Sequence, residues 1–503
     1  MEINFRLTHN ELRMKGAIRI PLVAMTLIFP SLISSSCTNL SSSFPGKVLF
    51  PSDSGYTDSV SSYFFLNQQE NPTCIIAPST TNEVAEIVRS IASHGYRSEK
   101  VAIRSGGHSP NRGFSNINHG VTIDLRGLNQ IEMRETSSDI VSLGTGALWI
   151  DVSDFLDPLN RTAVGSRVAS VGIGGFITGG GISFFSPRYG FSCDNVENMQ
   201  VVLANGTIIN ANATSNPRLF RALKGGQNNF GIVTRFDIKT YSQPAFWGGA
   251  IQYPESADAA QLDAFRRFKQ GPYDPFSEIE QTFVYFGTQN SFSSTNNLFY
   301  SKSGVNESNL RPFIDIQPQI SNTVRVSQPS DFALELEKFQ PTDSYSTWAT
   351  FSFPISADIL SQVHSEWKSA TSSLASSHPN ITGVLTFQSI PPPPAADRPP
   401  NSMPFRSSST PHENIVLTLL TFYWSEEEES QSIESGVRKL AQSIQMLAGN
   451  TTQFKYLNYA GGWQDPIGGY GKAGKEELRQ VAKMYDPSGF FQKSVKGGFK
   501  LYK

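Results

Sequence analysis

Apolar and polar positions alternate along this chain with two different periods, and the change of period marks its parts. From Thr80, TTNEVAEIVRSIASHG sets Val84, Ile87, Val88 and Ile91 at helical spacing, with Thr80 and Glu83 forming a capping-box pattern at its start. CIIAPS before it and VAIRS after it are short apolar runs, so the stretch reads as a β-α-β unit leading into a glycine-rich loop. VTIDLRGL, IVSLGTGAL, MQVVLANG, TIINAN and GIVTRFDIKTY follow as β-rich runs separated by glycine or asparagine turns, which predicts an α+β lobe. From about Gln243 helical patterns (AAQLDAFRRFKQ, SADILSQVHSEWKSA, EESQSIESGVRKLAQSIQML) alternate with strand patterns (EQTFVYFGT, NNLFYSK, WATFSFPI, ENIVLTLLTFYW). That alternation predicts an antiparallel sheet with helices on one face. Pro391 to Pro411, rich in proline and serine, is excluded from regular structure and is expected to be a surface loop or a lid.

Composition narrows the class. The chain has 503 residues, 38% hydrophobic and 17% charged, with a net charge of −2 and no basic block. It is long enough for two packed units with a sizeable core. Nucleic acid and an anionic membrane surface lose their electrostatic support. Arg6, Arg13, Lys15 and Arg19 precede an apolar run, Ile20 to Ile33, interrupted by Pro21 and Pro30 and closed by three serines, so residues 1–36 are expected to be a cleaved leader. Seven N-x-Ser/Thr sequons, at Asn39, Asn160, Asn205, Asn212, Asn306, Asn380 and Asn450, fit a secretory route ending outside the cell or in a vesicle. Of three cysteines, Cys37 and Cys74 are candidates for one bridge and Cys193 for a buried thiol. No spacing suggests a metal site.

Three segments carry candidate chemistry. In VAIRSGGHSPNRGFSN, His108 follows a strand-like run and two glycines, Gly106 and Gly107, that let a ligand approach the backbone; the alternative is a histidine capping a turn. VGIGGFITGGG, Val171 to Gly181, offers backbone N–H groups that can form an anion-binding nest, or is a flexible loop. It breaks the dinucleotide GxGxxG rule at Ile177, so no Rossmann fold is expected. YLNYAGGWQDPIGGYG, from Tyr456, holds Tyr456, Tyr459 and Tyr470, which are candidate acid–base groups or core aromatics. Trp424 is a pocket candidate that fits the core better.

Taken in order, with RYGFSCDNVENMQVVLANG, LFRALKGG and NNFGIVT between them, these segments resemble FAD-linked oxidases of the vanillyl-alcohol oxidase/p-cresol methylhydroxylase (PCMH-type) superfamily, in its fungal berberine-bridge-enzyme-like branch. The match is strong over 68–242, good from 452 to the end and only general between. The resemblance implies an FAD-binding domain over 68–242, an inserted substrate domain over 243–451, and a C-terminal segment over 452–503 that returns to the FAD lobe. It implies covalent FAD on His108, with Arg104, Ser105, Gly106, Gly107 and Ser109 lining the pyrophosphate. Gly172, Gly174, Gly175, Gly179, Gly180, Gly231, Ile232 and Asn458 join the cofactor site. Some members add a cysteinyl tether where this chain has Val168, so a single bond is expected. Val171 holds the position that opens or closes the path of dioxygen to the flavin, favouring an oxidase that releases hydrogen peroxide.

The same resemblance makes Tyr459 the base, which requires its phenol, with a pKa of about 10 in water, to be pulled down. The tyrosine that assists in plant members is replaced by Ile182, leaving open activation by a residue of the variable sheet. The expected activity is hydride transfer from a small organic substrate to FAD. The aromatic-rich second lobe points to an apolar specialised metabolite; a carbohydrate oxidase, a flavin-scaffolded cyclase or isomerase, and a colourless binding glycoprotein are the alternatives.

Overall fold

The β-α-β pattern is present with an inserted neighbour. In the computed structural model, which describes residues 35–93, 99–135, 137–304, 307–394, 396, 398–404, 412–449 and 454–502, strand Cys74–Ile76 leads into helix Thr81–Ser93 and then strand Val101–Arg104. These strands do not pair. Val121–Asp124 lies between them, parallel to both, so that Val121 faces Cys74 on one side and Val101 on the other. Both faces of these short strands are covered, which is why they read as unbroken apolar runs. The helix buries Val84, Ile87, Val88 and Ile91, as its period demands. Thr80 Oγ1 accepts from Glu83 N at 3.2 Å, while the Glu83 carboxylate takes Ser79 N at 2.7 Å.

The lobe begins earlier than 68. Helix Ser35–Ser43 and strand Val48–Leu49 belong to it, and Cys37 and Cys74 form a disulfide, leaving Cys193 as a buried free thiol. The expected leader lies outside the described residues except for its last two. The C-terminal segment returns to the outer edge of the same sheet, where Val101 N donates to Ser494 O at 2.9 Å and Lys496 N to Val101 O at 3.1 Å. A second, six-stranded sheet is built around Ile232–Ser242, flanked by Ser137–Gly144 and Val196–Val202.

The third sheet has eight strands; its central ones are Ser291–Tyr300, Ser277–Phe286, Thr382–Ser389 and Ile415–Trp424, all paired antiparallel. Helices Asp258–Gln270, Ala357–Ser377 and Ser430–Leu447 cover one face, as the alternating pattern predicts. Phe283, Tyr285, Phe387, Phe422 and Trp424 turn to that face and pack with Trp367, so most of the aromatic residues that suggested an apolar substrate belong to the core. Side chains two residues apart share a face of a strand. The opposite face therefore carries Glu280, Thr282, Thr386 and Thr421.

The proline-rich excursion is no lid in its described part. Arg398 donates to Asn195 Oδ1 and Tyr241 Oη, Asn401 to Asp194 Oδ1, and Met403 is buried, so it packs on the first lobe away from the sheet's open face. The described residues form one unit. No helix among the described residues is long and apolar enough to cross a membrane.

Candidate functional site

Strand Val101–Arg104 ends at the loop Ser105–Ser109, and carboxyl ends of parallel strands are where α/β sheets place ligands. Ser105 Oγ donates to Thr145 O at 2.7 Å and accepts from Gly174 N at 3.1 Å, tying this loop to the glycine run. There the two backbones meet: a Cβ on Gly106 would lie 2.6 Å from Gly172 N, and one on Gly172 would lie 2.2 Å from Gly106 N. Gly107 adopts φ +80 with the Tyr63 ring beneath it, a conformation and a closeness that only glycine accepts. His108 stacks on Phe64 with centroids 4.0 Å apart and meets Phe65 edge-on. Its Nε2 is shielded and has no partner, and burial holds its pKa down to about 4, so the imidazole is neutral near pH 7.

Arg104 lies apart from the cavity. Its guanidinium donates to Ser59 O and Ser62 O and lies 3.6 Å over the Tyr63 ring, below the loop and outside the cavity. Strand alternation explains this: Ile103 faces the cavity, so Arg104 faces away. Ser105, Gly106, Gly107, His108 and Ser109 do line the cavity, as do Val168, Val171, Gly172, Gly174, Gly175, Gly231, Ile232, Asn458 and Tyr459.

Gly179 and Gly180 do not. A Cβ on Gly179 would sit 1.9 Å from Asn458 Oδ1, and one on Gly180 would sit 3.2 Å from the Tyr456 ring. These glycines make room for the C-terminal segment. Tyr456 Oη accepts from Gly181 N and Asn458 Nδ2, and Asn458 Nδ2 also donates to Phe176 O, fastening YLNY to the glycine run. Tyr470 donates to Gly225 O and Trp424 Nε1 to Ser430 Oγ, so both are structural.

Two neighbouring glycines separate folding from binding. Gly172→Ala forces backbone against backbone and is expected to lose about 3 kcal/mol, at the upper end for overpacking. A Cβ on Gly175 meets nothing within 4 Å. Gly175→Ala is expected to keep stability within about 0.5 kcal/mol while intruding on the cavity. Thermal melts and bound-flavin content of the two variants check this.

The cavity, about 620 Å³, continues from this glycine wall to the open face of the eight-stranded sheet. At the junction stands Arg167, from the loop before the glycine run. Its Nη1 lies 2.8 Å from Glu278 Oε1; its Nη2 reaches Glu280 Oε1, Gln388 Oε1 and Tyr459 Oη, each at 2.9 Å. Sequence reasoning missed Arg167, Glu278 and Glu280. The available signals were a lone arginine in GSRVAS and two acids at i and i+2 in SEIEQ, which share a strand face. The expected lowering of Tyr459 does not occur: burial raises its pKa and Glu280 adds to the rise, while Arg167 offsets only part. Because Tyr459 Oη accepts from Arg167, its own proton is left to donate.

The glycine walls and a neutral, unpartnered imidazole suit a flavin with its diphosphate. Residues 72–212 match the FAD binding domain family. The FAD-dependent monooxygenase drtC of Aspergillus calidoustus is 32% identical over 483 residues, covering 94% of this chain and 91% of its own. The FAD-dependent monooxygenase tpcD of Cochliobolus heterostrophus is 33% identical over 470 residues, with 88% of each covered. Glucooligosaccharide oxidase from Acremonium strictum, described with a 6-S-cysteinyl, 8α-N1-histidyl FAD, shares the fold at a TM-score of 0.74 and 19% identity, over 93% of this chain and 99% of that one.

Proposed function

Because the chain belongs to the berberine-bridge-enzyme-like branch of the PCMH-type FAD-linked oxidoreductases, we propose that it is an oxidase of a small hydroxyl-bearing metabolite, with FAD attached through His108 alone and dioxygen as acceptor. Bound FAD supplies the hydride acceptor, and its reoxidation by dioxygen yields hydrogen peroxide. One observation carries this reading: the neutral imidazole of His108 and the polar sheet face with Glu280 and Tyr459 wall one continuous cavity. Gly106, Gly107, Gly172, Gly174 and Gly175 leave the diphosphate room beside backbone N–H groups. Tyr459 donates a hydrogen bond to the substrate oxygen, and Val171 borders the route of dioxygen. Val168 supplies no thiolate, so the second tether named for the Acremonium enzyme has no counterpart here.

The Cys37–Cys74 disulfide fits an oxidising compartment, in line with the leader and sequons and with secretory-route localisation. The test is a peroxide-coupled screen of hydroxylated metabolites, with mass spectrometry of the tryptic fragment containing His108. Peroxide stoichiometric with product and a flavin-mass increment on that fragment are expected; a fragment of unmodified mass in yellow, folded protein removes the covalent assignment. The relatives' naming as monooxygenases favours a second reading, oxygen insertion. Label from ¹⁸O₂ recovered in product in place of peroxide selects it.

A further inference from the structure

Glu280 is the sole carboxylate among the described residues lining the large cavity, and it shares one guanidinium with Glu278. Glu278, two residues from Glu280 on the same strand and paired with the other terminal nitrogen of Arg167, lines a second, small cavity of about 30 Å³ together with Lys269, Asp274, Ser277, Ser389 and His412. That volume holds a water, which needs about 10–15 Å³ and several polar partners. Arg167 thus joins a carboxylate lining the substrate side to a carboxylate lining a separate polar pocket. Two carboxylates share one guanidinium, and the next cation, Lys269, lies across the small cavity with its ammonium on Ser389 Oγ, so their mutual repulsion favours a proton on one of them.

We propose that Glu280 takes the proton of the substrate hydroxyl as the adjoining carbon is oxidised, and that Glu278, across Arg167, releases a proton into the small cavity in compensation. This rests on the reading of the large cavity as the oxidation site. The step balances. The C–H pair of electrons leaves as hydride to the flavin, the O–H bond breaks, a C=O bond forms, and the proton becomes Glu280 Oε–H. The cluster would then hold Arg167⁺ with two neutral acids. Loss of the Glu278 proton to water returns the cluster to the charge it had before the step, and the protons exchange back with solvent after product leaves. Nothing passes through Arg167, which keeps its own proton throughout: its pKa is raised by Glu280, Tyr459 and Glu278 despite burial.

Burial drives the Glu278 pKa up to about 8, with Glu280 adding to the rise and Arg167 and Lys269 opposing it. Lys269, from helix Asp258–Gln270, donates to Ser389 Oγ, and Tyr273, Asp274 and His412 are the other charged or titratable groups lining the small cavity. Tyr459 stays a neutral donor, since its pKa is raised as well. Coupled acids of this kind titrate as a pair, and removing one shifts the other.

The test is an infrared difference titration of the flavin-loaded protein, which needs no substrate and no oxygen. A buried carboxylic-acid C=O band should bleach with a midpoint near pH 8, vanish in Glu278→Gln, and bleach at lower pH in Glu280→Gln, where the repelling neighbour is gone. A midpoint unmoved in Glu280→Gln, or no such band in the wild type, overturns the shared proton. If Glu278→Gln fails to fold, the Glu280→Gln shift still decides. Anaerobic flavin bleaching by an alcohol that reduces the wild type then tests the base: Glu280→Gln should slow it by about 10²–10⁴-fold, the usual range for a lost general base. A slowing below threefold overturns the assignment. The expected titration shifts with no peroxide on aeration reject the oxidase reading alone.

Discussion

Replacing Arg167 by methionine is expected to destabilise the folded protein by about 3–5 kcal/mol, the range for removing one partner of a buried ion pair. The guanidinium is 5% exposed and is the counter-charge for Glu278 and Glu280, which are 2% and 14% exposed. Without it both carboxylates stay buried and must take up protons. Folded-state carboxyl pKa values then rise above their unfolded values, so the folded state binds more protons and its stability falls as pH rises above the unfolded value. The loss in Arg167→Met is therefore expected to be smaller at pH 5 than at pH 8. The triple variant Arg167→Met, Glu278→Gln, Glu280→Gln should recover most of it, since a buried ion cluster is replaceable by neutral groups of like volume. Denaturant midpoints at both pH values measure this, and a triple variant no more stable than the single one contradicts the electrostatic account.

Replacing His108 by alanine is expected to move all acid-stable yellow colour from the precipitated pellet to the supernatant. The glycine walls remain, so the native variant still binds flavin, but reversibly. The argument rests on the imidazole's state: burial keeps it neutral, its Nε2 has no partner, and Phe64 and Phe65 hold the ring in one orientation. A protonated histidine would have no lone pair to form a bond. The unpartnered buried nitrogen is costly in a purely structural role, because it forgoes a hydrogen bond. Absorbance of pellet and supernatant after acid treatment measures the partition; colour that stays in the pellet of His108→Ala places the attachment elsewhere.

The candidate site was legible where its chemistry is local. RSGGHS places His108 at a strand end, and its two glycines mark close approaches whose partners, Gly172 and the Tyr63 ring, come from elsewhere in the chain. Arg104 adjoins that motif, yet strand alternation sends it to the opposite side to join Ser59, Ser62 and Asp124. Gly179 and Gly180 lie away from the cavity for a different reason. Their missing side chains accommodate Asn458 and Tyr456, which lie far along the chain, and no local pattern distinguishes a glycine that admits a cofactor from one that admits another segment. The aromatic content of the second lobe pointed to an apolar substrate, and the structure divides it: Phe286, Phe339, Trp348 and Tyr423 line the cavity, while most of the others pack in the core. Both faces of a strand contribute to composition, and only the sheet's partners decide which face is the core.

What the amino-acid order determined alone was the alternation of strands and helices, the loop that presents His108, and the family to which these motifs belong, because periodicity, capping and glycine geometry act over a few residues. The joining of Arg167, Glu278, Glu280 and Tyr459 was decided only by the tertiary structure. Those four side chains come from the loop before the glycine run, a strand of the eight-stranded sheet and the returning C-terminal segment. Their protonation depends on desolvation and on charges that folding brings within hydrogen-bond distance, and neither is encoded in any local stretch of the chain.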